Sequence, residues 1–274
     1  MKNILFPTDF SKNANNALNY ALTIAKDFGA TLHIINTYQL PNSRAVPTTQ
    51  KLLVALKESA ITELQDYVKQ INIKEEYKNI IINYQAYEGN LINVISDLET
   101  EINFDLIVLG TKGASGIKEV LIGSNAEQVV YHAKTPVYVI PENAPVFTFN
   151  KTALAVDLNP INDYSIFDTL LSMCKKYNSS IQLVTVSLND DNNKENPTGL
   201  EKIKSFFTGL TISLKNVKNN NVLAGLDGYV EQENPSTLVV ISRKHTFFET
   251  LFSKTLTDKL ACRSKIPIFV VKEK

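Results

Sequence analysis

The chain has 274 residues, 44% hydrophobic and 20% charged, the balance of a globular protein with length enough for two ordinary domains. Its 28 Lys and Arg offset 28 Asp and Glu, so it has no bulk attraction for nucleic acid or anionic lipid. No apolar run approaches the roughly 20 residues that cross a bilayer, the start reaches Pro7-Thr8-Asp9 too soon for a signal peptide, and neither Cys174 nor Cys262 has a CxxC partner; the expected setting is cytoplasmic, with no membrane and no nucleic-acid partner.

In chain order, Ile4-Leu5-Phe6-Pro7-Thr8-Asp9 predicts a strand ending in Asp, and Ser11 is a good N-cap for a following helix. Ala14, Ala17, Leu18, Ala21, Leu22, Ala25 and Phe28 mark that helix by their spacing. A strand over residues 31–37 follows, then helical patterns from Leu52 to Val68 and from Leu91 to Leu98, a strand over 104–109, a helix beginning near Ser124 and a strand over 137–140.

The pattern then repeats. Ala153-Leu154-Ala155-Val156-Asp157 matches the opening strand, residues 180–186 match 31–37, Thr237–Ile241 match 104–109, and 264–270 match 133–139, in the same order. The polar, Pro-flanked stretch Glu142-Asn143-Ala144-Pro145 suits a linker, which divides the chain into domains 1–144 and 145–274. Apolar strands without polar alternation are buried on both faces. The expected fold is therefore α/β: two tandem five-stranded doubly wound parallel sheets with helices on both faces. Ligands of such sheets sit beyond the carboxyl ends of the strands at the switch in strand order, where this sequence carries Pro7-Thr8-Asp9, Thr37 and Leu109-Gly110.

The most informative segment is Gly110-Thr111-Lys112-Gly113-Ala114-Ser115-Gly116, running on to Gly123-Ser124. It leaves a buried strand and enters a helix. Glycine lets a phosphate approach the backbone, and unpaired N–H groups at a helix start favour an anion. The Ser124 hydroxyl could cap that helix or donate to a phosphate oxygen. No Gly-Lys-Ser/Thr triplet marks a Walker loop, and the glycines lie too late in the chain for the dinucleotide fingerprint.

The spacing Gly110, two residues, Gly113, nine residues, Gly123-Ser124 resembles the ATP-binding signature of the universal stress protein family. Ile4-Leu5-Phe6-Pro7-Thr8-Asp9-Phe10-Ser11 and His132-Ala133-Lys134-Thr135-Pro136-Val137 resemble that family's first turn and last helix–strand junction. The likeness extends over the whole chain as a tandem pair. It implies an adenine nucleotide, ATP with Mg or Mn, in a site formed by Pro7, Asp9, Thr37, Gly110, Gly113, Gly123, Ser124 and Asn125. Asp9 would lie by the nucleoside, Thr37 would touch the base through its backbone, and the loop would hold the phosphates. Capping of the first helix is the other reading of Asp9.

The second copy departs from the pattern. After Ile241 come Ser242-Arg243-Lys244-His245 and, further on, Lys254-Thr255, with no glycine. Alignment sets Ser242 opposite Gly110, to within a residue. Arg243, Lys244, His245 and Lys254 form a basic cluster that reads as a solvated turn or as a seat for another anion. The three histidines share no metal-ligand spacing, and Glu75-Glu76 and Asp190-Asp191 read as polar loops.

Three functions remain open: a nucleotide-binding stress or signalling protein served by its first copy alone, a slow ATPase or nucleotidyl-transfer enzyme, and a binding module for another ligand or protein. The apolar strands 137–140 and 268–271 would each end a sheet, so they are expected to pair antiparallel within one chain. A homodimer would need another surface.

Overall fold

The structure is a computed structural model that describes residues 1–40, 49–111, 123–156, 161–187, 197–242 and 266–273. Strands and helices alternate through the first half: β1 (Asn3–Pro7), α1 (Lys12–Phe28), β2 (Thr31–Tyr38), α2 (Thr49–Asn72), β3 (Ile82–Glu88), α3 (Leu91–Glu101), β4 (Leu106–Gly110), α4 (Ser124–His132) and β5 (Val137–Ile140). The second half follows with β6 (Lys151–Ala155), α5 (Asp168–Lys176), β7 (Ser180–Ser187), α6 (Pro197–Phe206), β8 (Ile212–Lys218), α7 (Val222–Glu233), β9 (Thr237–Ser242) and β10 (Ile268–Lys272).

The two five-stranded arrays run into one ten-stranded sheet, ordered β3-β2-β1-β4-β5-β10-β9-β6-β7-β8. Within each half the strands are parallel, and β5 and β10 meet antiparallel, Tyr138 opposite Phe269. The fold class is thus the expected α/β one, with the two sheets continuous rather than separate. The order reads 3-2-1-4-5 from either outer edge, so the halves mirror each other about the β5–β10 pair.

Local chemistry sets the element ends. Ser11 caps α1, its hydroxyl accepting from the Ala14 amide at 3.2 Å. Gly29 closes the helix at φ 61°, a left-handed turn that lets the Ala30 amide reach the Ala25 carbonyl at 2.9 Å. Asn90 caps α3 and Asn221 caps α7 in the same way, so the repeat extends to the capping residue.

One core cluster joins both halves on one face of the sheet, and a second fills the other face. At the seam Tyr138 is fully buried, and its hydroxyl bonds the Thr237 hydroxyl at 2.6 Å. Desolvation pushes that phenol far above its usual range. The Tyr177 hydroxyl donates to Asp27 across the halves at 3.0 Å. The Lys272 amine reaches the Val130 carbonyl in the last turn of α4.

The linker is less open than its composition suggests. Phe149 is buried, Phe147 packs edge-on against Tyr20 and Tyr177, and the Tyr20 hydroxyl donates to the Pro145 carbonyl at 2.6 Å. Glu75 and Glu76 sit in a 3-10 turn that buries Tyr77 rather than in a plain loop. Cys174 is buried as a small apolar group, and burial drives its thiol up to about 12. His33 lies in β2 with its ring edge-on to Phe104 at 5.3 Å, and burial lowers its pKa. Cys262, the pair Asp190-Asp191 and the basic cluster at 243–254 lie outside the described residues.

Candidate functional site

In the first half the strand order switches direction between β1 and β4, and a cavity of about 180 Å³ opens at their carboxyl ends. Six of the eight sequence-marked residues line it: Pro7, Asp9, Thr37, Gly110, Gly123 and Asn125. They come from the β1–α1 turn, the end of β2, the end of β4 and the start of α4. Ser124 is the first residue of α4, with Gly123 rather than Ser124 in the N-cap position, and Gly113 lies outside the described residues.

The β1–α1 turn is held by its own hydroxyls and carboxylate. The Thr8 amide donates to the Ile35 carbonyl at 2.8 Å, tying the end of β1 to β2. The Thr8 hydroxyl accepts from the Phe10 amide at 3.0 Å, and Asp9 Oδ1 accepts from the Ser11 amide at 3.1 Å. These bonds stabilise Phe10 at φ 61°, a backbone region few side chains adopt. Asp9 therefore braces the turn ahead of the helix while Ser11 does the capping. Its side chain is exposed at the mouth of the cavity. Tyr67 of α2 stands over this turn, its ring edge-on to Phe10 at 5.4 Å. Burial, with the Asp9 charge adding to it and a Thr8 hydrogen bond opposing it, raises its pKa to about 12.

On the other wall, the Thr111 amide donates to Ile140 and the Thr111 carbonyl accepts from the Gly123 amide at 2.5 Å, so both ends of the 112–122 loop are pinned together. Gly110 is glycine for a packing reason: an added Cβ would stand 2.2 Å from Asn13 Oδ1 of α1 and 3.1 Å from the Asn13 carbonyl oxygen. Gly123 is different. Its φ of −64° suits any residue, so its backbone does not require glycine.

Thr8, Leu109 and Thr111, which belong to the strand ends and loop marked from the sequence, line the cavity too; Ala14, Ile35, Asn36, Leu91 and Ala126 are lining residues that sequence reasoning missed. Asn36 is set by its amide, which donates to the Thr8 carbonyl at 2.8 Å. Leu91 gave only a helical-core signal.

The second half holds the same position in altered form. Register equates Thr8 with Val156 and Ile35 with Val184, because Val156 N–H bonds the Val184 carbonyl as Thr8 bonds Ile35. The same ladders set Val186 opposite Thr37 and Ile241, not Ser242, opposite Gly110; the alignment by loop composition was one residue off. Ile161, four residues beyond Asp157, is buried and belongs with Ile241 to one core cluster. What remains is a cavity of about 90 Å³ lined by Ala155, Val156, Val184, Val186, Val222, Leu226 and Ile241. Every one of these side chains is apolar, so none of them offers a phosphate a hydrogen-bond donor.

The model of the universal stress protein family matches residues 1–141. A universal stress protein of Methanocaldococcus jannaschii is 32% identical over 142 residues, which is 51% of this chain and 81% of that protein. A putative universal stress protein of Staphylococcus aureus is 28% identical over 139 residues, 51% of this chain and 83% of its own length. Among solved structures, a universal stress protein from Archaeoglobus fulgidus aligns at TM-score 0.76 and 20% identity over 99% of this chain and 98% of that one, a likeness of fold along the full length.

Proposed function

The chain belongs to the universal stress protein family, and on that premise we propose that it is a cytoplasmic ATP-binding stress or signalling protein whose first domain, residues 1–144, holds the nucleotide. One observation carries the reading: residues from four separate segments, 7–9, 37, 110 and 123–125, meet at one cavity at the strand-order switch. Asp9 and the backbone at Thr37 face the nucleoside. The 110–124 loop and the amides that open α4 take the phosphates.

The second domain, residues 145–274, works as a fixed partner and binds no nucleotide. Val156, Val186 and Ile241 stand where Thr8, Thr37 and Gly110 stand in the first. Its last strand covers the β5 edge, the contact a one-domain relative would need a second chain to make.

Magnesium or manganese would arrive on the phosphate oxygens. Among the described residues no three His, Cys, Asp or Glu side chains are placed to hold a metal, and Asp9 is the one carboxylate lining the cavity. The protein acts by binding, and Asp9, on the nucleoside side, is the one candidate base among the described lining residues.

Mass spectrometry of nucleotides released from the purified chain, with calorimetry of added ATP, tests the reading. The expected result is adenine nucleotide at one equivalent per chain. Two equivalent sites per chain would refute the division of labour, and a chain that neither carries nor binds ATP would refute the function.

A further inference from the structure

The cavity does not close at the start of α4. Asn125, which lines it, also lines a groove of about 540 Å³ between α3 and α4. The groove follows both helices, from Asn90 and Asn125 at their first turns to Glu99 and His132 near their last. Its floor is apolar, formed by Ile95 and Val129.

The Asn90 side chain is committed to the α3 cap, and Glu99 accepts from the Lys134 and Thr135 amides. The other polar groups of the middle stretch are neutral: the amides of Asn93, Asn125 and Gln128 and the Ser96 hydroxyl. A carboxamide both donates and accepts, which matches the edge of a nucleobase or the hydroxyls of a ribose. Neither Lys nor Arg is among the described lining residues, so the chemistry suits a neutral polar group and not a further run of phosphates.

The second half supplies a control. Asn93 lies three residues past its cap Asn90, and the residue three past Asn221 is Ala224. Glu99 is matched in the same way by Val230. The counterpart of α3 in the half with the apolar cavity thus lacks the Asn93 amide and the Glu99 carboxylate, and carries Asp227 in place of Ser96.

We propose that the α3–α4 groove seats a second nucleoside, joined through a phosphate bridge to the nucleotide in the cavity, so that the preferred ligand class is a dinucleoside polyphosphate. Asn125 stands at the junction, two residues past Gly123, where the phosphates of the first nucleotide end. Asn93 and Gln128 bond the second base or ribose, and His132 offers an aromatic face at the far end. This rests on the nucleotide reading above.

The test is calorimetry on the full chain with three probes: ATP, diadenosine tetraphosphate, and adenosine tetraphosphate, which has the same phosphates and no second nucleoside. Diadenosine tetraphosphate should bind at least roughly tenfold more tightly than either mononucleotide, the worth of two modest hydrogen bonds. Asn93→Ala with Gln128→Ala, both exposed sites that leave the core untouched, should keep ATP affinity and erase that preference. Equal affinity for diadenosine tetraphosphate and adenosine tetraphosphate, or a preference that survives the double substitution, overturns the groove proposal alone. Failure of every probe to bind overturns the nucleotide reading and the groove with it.

Discussion

Gly110→Ala separates two reasons for a glycine at the cavity wall. If Gly110 serves only phosphate approach, the ligand-free protein should tolerate a methyl group. The structure gives the opposite expectation. The new Cβ would lie 2.2 Å from Asn13 Oδ1, 2.8 Å from Asn13 Cγ and 3.1 Å from the Asn13 carbonyl oxygen. Asn13 is 4% exposed, so its side chain has little room to swing, and the carbonyl oxygen belongs to the first turn of α1. Overpacking of this kind costs about 2 kcal/mol, which for a chain of this size lowers Tm by roughly 4–8 °C. Thermal and urea unfolding of the ligand-free protein measure it. Asn13→Ala removes the two closest contacts, so in a double-mutant cycle Gly110→Ala should cost less than half as much in that background. A ligand-free Gly110→Ala protein as stable as the parent, or a strictly additive cycle, would refute the packing account. Gly123→Val is the complement. With φ at −64° the backbone accepts valine, at about 1 kcal/mol for a poorer N-cap, while the side chain blocks the phosphates; a folded variant with unchanged ATP affinity would remove Gly123 from the site.

The seam and two buried groups give further tests. Val139→Lys with Phe269→Lys places two charges on strands whose residues there are at most 1% exposed, and should lower stability by more than about 4 kcal/mol; an unchanged melting temperature would show the strands unpacked. Lys272 has its pKa lowered by burial from 10.5 to about 8, with the Glu99 charge opposing the change. Since the folded value lies below the unfolded one, the cost of charging it is full below about pH 8, shrinks between 8 and 10.5, and is gone above. Lys272→Met should therefore be the more stable protein at pH 7 by up to roughly 3 kcal/mol, less the lost bond to Val130. Melts from pH 7 to 10.5 should show the gap closing, and a gap independent of pH would contradict this. Cys174, with its thiol at about 12, should resist iodoacetamide at pH 8 in the folded chain and react only on unfolding, as read by peptide mapping.

What the sequence made legible follows from burial. Strands β1, β4 and β5 and their counterparts β6, β9 and β10 are mostly buried, and β2 and β7 bury their middle residues, so they appear as apolar runs and as a repeat. Strands β3 and β8 are the sheet's outer edges. Asn83, Tyr84 and Gln85, and likewise Ser213 and Leu214, are exposed there, which leaves no apolar run to read. Phe147 and Phe149 were hidden for another reason: two aromatics in a short irregular segment have no period, and only the neighbouring helices α1 and α5 reveal what they fill. Asp9, Gly110 and Gly123, which meet at the cavity, were marked in the sequence by motif spacing and not by any burial pattern. Asn13, which dictates Gly110, gave no signal because its role arises only when α1 packs over the end of β4.

Under the proposed function, the apolar residues at the second switch point argue that the second half is retained for its shape. In the first half Asn13 lies against Gly110, a polar side chain filling the space left by a missing one. In the second, register sets Ile241 at the place of Gly110, and it is buried in a core cluster that also holds Ile161. Isoleucine at the glycine position of the first half would strike Asn13. The second half thus has hydrophobic burial where the first has a polar wall. The strands that form the seam were not altered in this way: β10 is buried along its length, and it holds Phe269 against Tyr138 at 5.5 Å. A half kept only as a relic would be free to lose both features. An apolar switch point together with a fully packed seam fits the proposed role, a domain that completes the sheet beside the one proposed to hold the nucleotide. Deleting residues 145–274 should therefore expose the β5 edge and its Tyr138 and make the remaining half dimerise or aggregate, which sedimentation velocity would detect; a stable monomer of 1–144 would count against that role.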